Sequence, residues 1–333
     1  MQQENLIFVV CSPRSGSTML QRMLGAHPKV HTHPEPHLIT PLAYLGYHGT
    51  VDKAPYDHIN AAAAFREFSQ ELPKGEEDVL DALRAYATTL YERVLQKSDK
   101  TIFCDKTPEY ATVLPFLTKL FPKARYVVLT RHPLAIFHSQ AHSFFGGNYQ
   151  AAYETNPIMQ RYVKAIGEFI EEKAVDFVQV RYEDLVQKPE EHMRRILKHL
   201  GLEYDAACVN YGSKKHISKS YGDPMSVEKH QKPVTKSLTT WASDMQTRPE
   251  VLGLIQKAIV EMDPAHLAAW GYPEDTLLAP LEKVGAQVTK RSPFNSYHLK
   301  RQVLLQVRKN VHNNALGTAL RKVRYYCDVL LRN

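Results

Sequence analysis

Cysteine is sparse in this chain: four residues in 333, Cys11, Cys104, Cys208 and Cys327, widely separated and without a CxxC pair. That distribution excludes a disulfide-stapled scaffold and a cysteine-based zinc module, and it fits a reducing compartment. No apolar run reaches the length needed to span a bilayer. The N-terminal run, Leu6 to Cys11, is too short and too poorly flanked for a signal peptide, so a cytoplasmic protein is expected. Internal repeats and low-complexity tracts are missing too. With 44% hydrophobic and 23% charged residues, the composition is that of a globular chain and not a disordered one.

An excess of positive charge is missing over most of the length. The formal net charge is +7, from 42 Lys and Arg against 35 Asp and Glu. Residues 290–333 alone hold ten Lys and Arg and one Asp, which leaves 32 basic and 34 acidic residues in 1–289, a net of −2. A globally basic surface is thereby excluded, and no nucleic-acid partner is expected.

What is present is an alternation of short apolar strands and amphipathic helices. Leu6–Cys11 and Arg125–Thr130 read as buried strands and Phe177–Arg181 as the last clear strand, with shorter ones near Lys29–Thr32 and Thr101–Cys104. Helical spacing covers Ser17–Ala26, Asp78–Gln96, Tyr110–Phe121, Pro157–Lys173 and Glu190–Leu200, with more helix around Val251–Met262. A helix opens at Pro133, and another begins near His37. Residues 47–75 read as an irregular insertion, 144–156 as a Gly-, Asn- and Tyr-rich stretch, and 212–237 as a long polar loop. The expected fold is α/β: a P-loop-like, mostly parallel sheet flanked by helices, over residues 1–285, with a C-terminal helical extension over 286–333.

The first strand runs directly into Cys11-Ser12-Pro13-Arg14-Ser15-Gly16-Ser17-Thr18. A loop of small residues at a helix N-terminus offers backbone N–H groups and the positive end of the helix dipole to an anion. Arg14, Ser15, Gly16, Ser17 and Thr18 are therefore candidate phosphate ligands. The string lacks GxxxxGK and has no Lys-Ser/Thr pair, so it gives no support for the magnesium site of an ATPase loop. It resembles the phosphosulfate loop of sulfotransferases that use 3′-phosphoadenosine-5′-phosphosulfate (PAPS). Ala26-His27-Pro28 and Glu35 extend the likeness to tyrosylprotein sulfotransferases, and a similar segment occurs in sulfotransferase domains of bacterial polyketide synthases.

The resemblance covers roughly residues 5–245 and carries specific expectations. Arg131, at a strand C-terminus where open α/β sheets bind ligands, and Ser139 resemble the pair that holds the 3′-phosphate. Where the tyrosylprotein branch has a further Arg, this chain has Ser143. Tyr182, in Arg181-Tyr182-Glu183-Asp184-Leu185, would help hold the nucleotide. Lys232, before Pro233-Val234, would contact it from a closing loop. Glu35 would be the general base, although His31, His33 and His37 are rivals because cytosolic sulfotransferases use His. Arg14, Lys106 and Ser218 (or Ser220) would stabilise the transition state. No metal is expected: the histidines around Glu35 lie in a Pro-broken segment without helical ligand spacing. Sulfuryl transfer to a hydroxyl is then implied, on a small molecule, a peptidyl tyrosine or a carrier-bound group. The alternatives are a P-loop nucleotide kinase and a non-catalytic nucleotide-binding scaffold.

The basic tail shows two apolar stripes, one through Leu299, Val303, Val307 and Val311, the other through Leu316, Leu320, Val323 and Leu330. It is expected to dock on the catalytic domain or a second subunit, with an anionic membrane or an acidic acceptor as the alternatives.

Overall fold

The computed structural model describes residues 1–45, 58–213, 231–235 and 238–282. The tail, Ser218 and Ser220 lie outside these residues.

Strand β1 (Leu6–Cys11) leads into helix α1 (Ser17–Ala26), followed by β2 (Val30–Pro34), α2 (Ile39–Ala43), α3 (His58–Gln70) and α4 (Glu76–Leu95). Then come β3 (Ile102–Lys106), a 3₁₀ turn over Pro108–Val113, α5 (Leu114–Leu120) and β4 (Arg125–Thr130). Helices α6 (Pro133–Phe145), α7 (Tyr149–Thr155) and α8 (Ile158–Glu172) precede β5 (Phe177–Arg181), α9 (Tyr182–Gln187) and α10 (Pro189–His199). The described C-terminal part consists of α11 (Thr240–Gln246), α12 (Pro249–Val260), α13 (Pro264–Trp270) and α14 (Ala279–Glu282). Among the described residues, no helix is long and apolar enough to cross a membrane.

The five strands form one sheet in the order β2-β3-β1-β4-β5, and every pairing is parallel. The pleat splits the core in two. Leu6, Phe8 and Val10 of β1 pack with Tyr126 and Val128 of β4 into the cluster formed with α5, α6 and α8. Ile7, Val9 and Cys11 pack with Val127 and Leu129 against α1, α9 and α10. Burial on both faces explains why these strands read as continuous apolar runs. Phe8 is 1% exposed and stacks on Tyr126 at 5.7 Å and Phe121 at 5.3 Å. Burying such a ring contributes about 1.5–3 kcal/mol.

The chain leaves β1 for β2 on one side and later crosses to β4 on the other, with β3 filled in between. The carboxyl end of β1 is therefore the switch point at which such sheets bind ligands.

Several segments differ from expectation. Residues 58–70, within the stretch read as irregular, are helix α3, which packs on α4. Its alanines carry the highest intrinsic helix propensity. Strand β2 extends to Pro34, which pairs in register with Lys106; proline is tolerated there because β2 is an edge strand. The helix expected over Tyr110–Phe121 is split into the 3₁₀ turn and α5. Helix α2 starts at Ile39, and the 144–156 stretch holds helix α7.

Candidate active site

The loop after β1 turns through two residues with left-handed backbone, Arg14 (φ 66°) and Gly16 (φ 87°). Gly16 is the N-cap of α1, and no side chain caps this helix terminus. The Ser15 hydroxyl donates to the Ser12 carbonyl at 2.7 Å, which holds the turn from within. Left-handed residues spaced in this way turn backbone N–H groups towards one concavity, and the helix dipole adds positive charge there. A Cβ on Gly16 would lie 2.4 Å from the Tyr182 ring. Ser17 is buried, and Thr18 is half-buried in the first turn of α1.

Arg131, at the end of β4, closes the loop from the other side. Its Nη1 donates to the Arg14 carbonyl at 2.9 Å, and its guanidinium lies over the Tyr182 ring at 4.5 Å. The Trp270 indole in turn donates to the Arg131 carbonyl at 2.8 Å. The Arg14 Nε donates to Ser139 Oγ on α6 at 3.1 Å, and its guanidinium lies 5.6 Å from the Phe144 ring. Arg14, Ser15, Gly16, Arg131, Ser139 and Tyr182 are thus gathered at one place. Lys232 is exposed.

The acid–base pair lies at the carboxyl ends of β2 and β3. Lys106 Nζ, on a fully buried side chain, donates to Glu35 Oε1 at 2.6 Å. A buried ammonium needs such a partner, because its desolvation costs several kcal/mol. Glu35 (φ 39°) and His37 (φ 51°) both take left-handed backbone, at about 1–3 kcal/mol each. Gln21 Nε2 of α1 holds the preceding His33 carbonyl at 2.8 Å. Burial pushes the Cys11 thiol up to about 12, against the opposing Lys106 charge, so Cys11 is a neutral wall of this site and not a nucleophile. His37 sits beside Glu109, with Nε2 3.9 Å from Oε2. The Glu35, His37 and Glu109 ligand atoms are close enough to hold a cation, although Glu35 already accepts from Lys106.

A buried carboxylate escaped the sequence reading. Asp105, beside Lys106, is 1% exposed and accepts from the hydroxyls of Tyr91 (2.6 Å), Tyr110 (2.9 Å) and Thr107 (2.9 Å). Burial raises its pKa, although these hydrogen bonds oppose the rise. The Tyr110 oxygen also accepts from the Ile39 N–H at 3.1 Å, at the start of α2. The only sequence signal was an acidic residue inside an apolar strand. Glu183 also went unnoticed: it accepts from the His132 N–H at 3.1 Å and from the Tyr272 hydroxyl, and so ties the end of β4 to the C-terminal helices.

A loop with left-handed turns at a helix N-terminus, one arginine within it and another beside it, and a buried Lys–Glu pair, all at the carboxyl end of a parallel sheet, suit group transfer from an anionic, nucleotide-like donor, and that is the class this fold and site define. Within that class the chain belongs to the sulfotransferase family, whose family model matches residues 6–206. Nodulation protein NoeE of Sinorhizobium fredii is 26% identical over 74% of this chain. A putative protein-tyrosine sulfotransferase of Caenorhabditis briggsae is 26% identical over 72% of it. The chain spans 64% of the length of the first relative and 81% of the second. Among solved structures, the sulfotransferase domain of the Synechococcus PCC 7002 olefin synthase has a TM-score of 0.52 at 25% identity, covering 78% of this chain and 95% of that one. Membership in this family sets aside the P-loop kinase.

Proposed function

We propose that the chain transfers a sulfuryl group from PAPS to the hydroxyl of an acceptor, with Glu35 as general base. The observation that carries this reading is the 2.6 Å contact between Lys106 and Glu35 at the carboxyl end of the sheet, the end that also bears the phosphate loop. The loop fits an anionic donor: it joins left-handed turns, an uncapped helix terminus and a Gly16 surface that any side chain would fill. Arg131 and Ser139 supply a second grip for the 3′-phosphate that distinguishes PAPS from ATP.

The donor supplies an electrophilic sulfur and a leaving phosphate. The residues of this chain position and neutralise. Arg14 and the loop N–H groups hold the 5′ end of the donor, and Arg131, Ser139 and Tyr182 hold its nucleoside end. Lys106 orients the Glu35 carboxylate and places a positive charge beside the reacting oxygens. Glu35 Oε accepts the acceptor's hydroxyl proton as the acceptor oxygen bonds to sulfur and the bond from sulfur to the bridging oxygen breaks. Charge stabilisation and alignment are the main sources of rate in such in-line transfers. Ser218 and Lys232, from the segment before α11, complete the contacts to the leaving group and the nucleotide. The acceptor is a small phenol or alcohol, a peptidyl tyrosine or a carrier-bound hydroxyl.

The test is sulfate transfer from labelled PAPS to a panel of these three acceptor classes, alongside calorimetric titration with adenosine-3′,5′-bisphosphate and with ATP. Glu35→Gln is expected to lower kcat about 10²–10⁴-fold while leaving adenosine-3′,5′-bisphosphate affinity within about twofold. Preference for ATP, or full activity in Glu35→Gln, would overturn the proposal.

A further inference from the structure

A second cluster of titratable side chains lies on α6, separate from the Glu35–Lys106 pair. His138 and His142 sit one helical turn apart, and their rings stack at 4.3 Å between centroids. Both Nε2 atoms face the same oxygen, Oδ2 of Asp244 on α11, at 3.5 Å and 3.0 Å. The Tyr149 hydroxyl of α7 donates to that oxygen at 2.9 Å and lies 3.4 Å from His142 Nε2. The ligand atoms of the two histidines and Asp244 all fall within 4.8 Å of one another.

We propose that His138, His142 and Asp244 form a binding site for a divalent transition metal, with Zn²⁺ the best match. In a tetrahedral Zn²⁺ site, with bonds of about 2.0–2.1 Å, neighbouring ligand atoms are about 3.3 Å apart. The two distances to Asp244 Oδ2 bracket that value, so small side-chain shifts admit the ion. Two imidazoles and one carboxylate suit Zn²⁺ better than Mg²⁺ or Ca²⁺, which prefer all-oxygen shells. The spacing of the histidines, four residues apart on a helix, presents both rings on one face. Asp244 is anchored by Arg248, whose Nη2 meets the other oxygen, Oδ1, at 3.1 Å; Oδ2 is the oxygen facing the histidines.

Metal binding would replace the Nε2–H hydrogen bonds to Asp244 with bonds from the Nε2 lone pairs. Burial pushes Asp244 up, but hydrogen bonds from His138, His142 and Tyr149 outweigh it and hold the carboxyl well below its usual range. Burial lowers the His138 pKa and so favours the neutral ring that ligates metal. The His142 side chain is 37% exposed and gives the ion a path from solvent. The site would act as a clamp. Metal ligands on α6 and α11 would tie the helix that carries Ser139 to the one whose Trp241 stacks on His132 at 4.5 Å, directly after Arg131.

The experiment uses the full chain, stripped with EDTA and then titrated with Zn²⁺ by calorimetry and with Co²⁺ by visible absorption. One equivalent of each metal is expected, with the intense d–d bands of tetrahedral Co²⁺ and a rise in Tm on adding Zn²⁺. His142→Ala is expected to weaken Zn²⁺ affinity by about 100-fold or more and to abolish the Tm rise. His37→Ala, in the other cluster, is expected to change neither. His138→Gln serves as a second ligand variant, chosen to preserve the helix. Absence of saturable binding would overturn the proposal. So would undiminished binding in both His142→Ala and His138→Gln, or binding lost in His37→Ala and kept in His142→Ala.

Discussion

Gly16 shows how much a single backbone conformation decides at this site. Its φ of 87° is one that side-chain-bearing residues rarely adopt, and an added methyl would run into the Tyr182 ring. That ring in turn lies against the Arg131 guanidinium, and Arg131 holds the Arg14 carbonyl. Gly16→Ala therefore has two expected effects. Stability falls by about 1–3 kcal/mol from the strained backbone, and adenosine-3′,5′-bisphosphate affinity falls at least tenfold as Tyr182 and Arg131 move. Thermal melting and calorimetric titration read the two separately; unchanged affinity in a folded variant would sever Tyr182 from the donor site. The loop itself was legible, because Pro13-Arg14-Ser15-Gly16-Ser17-Thr18 is a run of neighbours. The contact of Gly16 with Tyr182 was not, since the two meet only when β1 and β5 take their places in the sheet.

Among the elements, strands with both faces buried announced themselves most clearly. The boundaries of β1 and β4 match expectation, because their apolar stretches end where the backbone leaves the core; those of β5, an edge strand with alternating burial, match as well. β3 was read two residues short: Asp105 and Lys106 are charged, yet both are buried and paired within the strand. Their partners come from α4, from the 3₁₀ turn and from the Glu35 loop, and no local pattern announces such distant partners. This arrangement makes Tyr110 a positioning residue. Its hydroxyl joins Asp105, next to Lys106, to the Ile39 N–H at the end of the segment that carries Glu35. Tyr110→Phe removes that link and leaves a buried N–H without its acceptor, at about 1–3 kcal/mol. Asp105 keeps Tyr91 and Thr107, so folding survives. The expected result is a roughly tenfold lower kcat, since Glu35 is placed less well, with donor KM nearly unchanged. Equal losses in kcat and donor affinity would point to general loosening of the fold.

For the whole molecule, the alternation of strands and helices made a parallel sheet foreseeable, but the order β2-β3-β1-β4-β5 follows from which strand edges meet in the fold. The same holds for the C-terminal helices, which had no visible reason to return to the sheet. His132 shows what draws them there. It is 6% exposed, stacks on Trp241 at 4.5 Å and meets the edge of Tyr272 at 5.2 Å, so it fills the seam between the end of β4 and α11. Burial, helped by the nearby Arg131 and Arg181 charges, lowers its pKa to about 3. The unfolded chain takes up this proton near the ordinary value of 6.5, and the folded chain only near 3. The unfolded state therefore binds more protons between these values, and stability falls as pH drops from 6.5 towards 3. Above 6.5 the contribution is complete. At pH 5 the loss from this residue alone is about 2 kcal/mol. Replacing the imidazole with an uncharged amide removes the linkage, so His132→Gln is expected to be less stable than the parent at pH 7.5, with a visibly shallower decline in Tm between pH 7.5 and 5. Other histidines lowered by burial, His27, His31, His138 and His192, titrate in both proteins and cancel in the comparison. Parallel Tm profiles over that range would show that His132 takes up its proton without disturbing the seam.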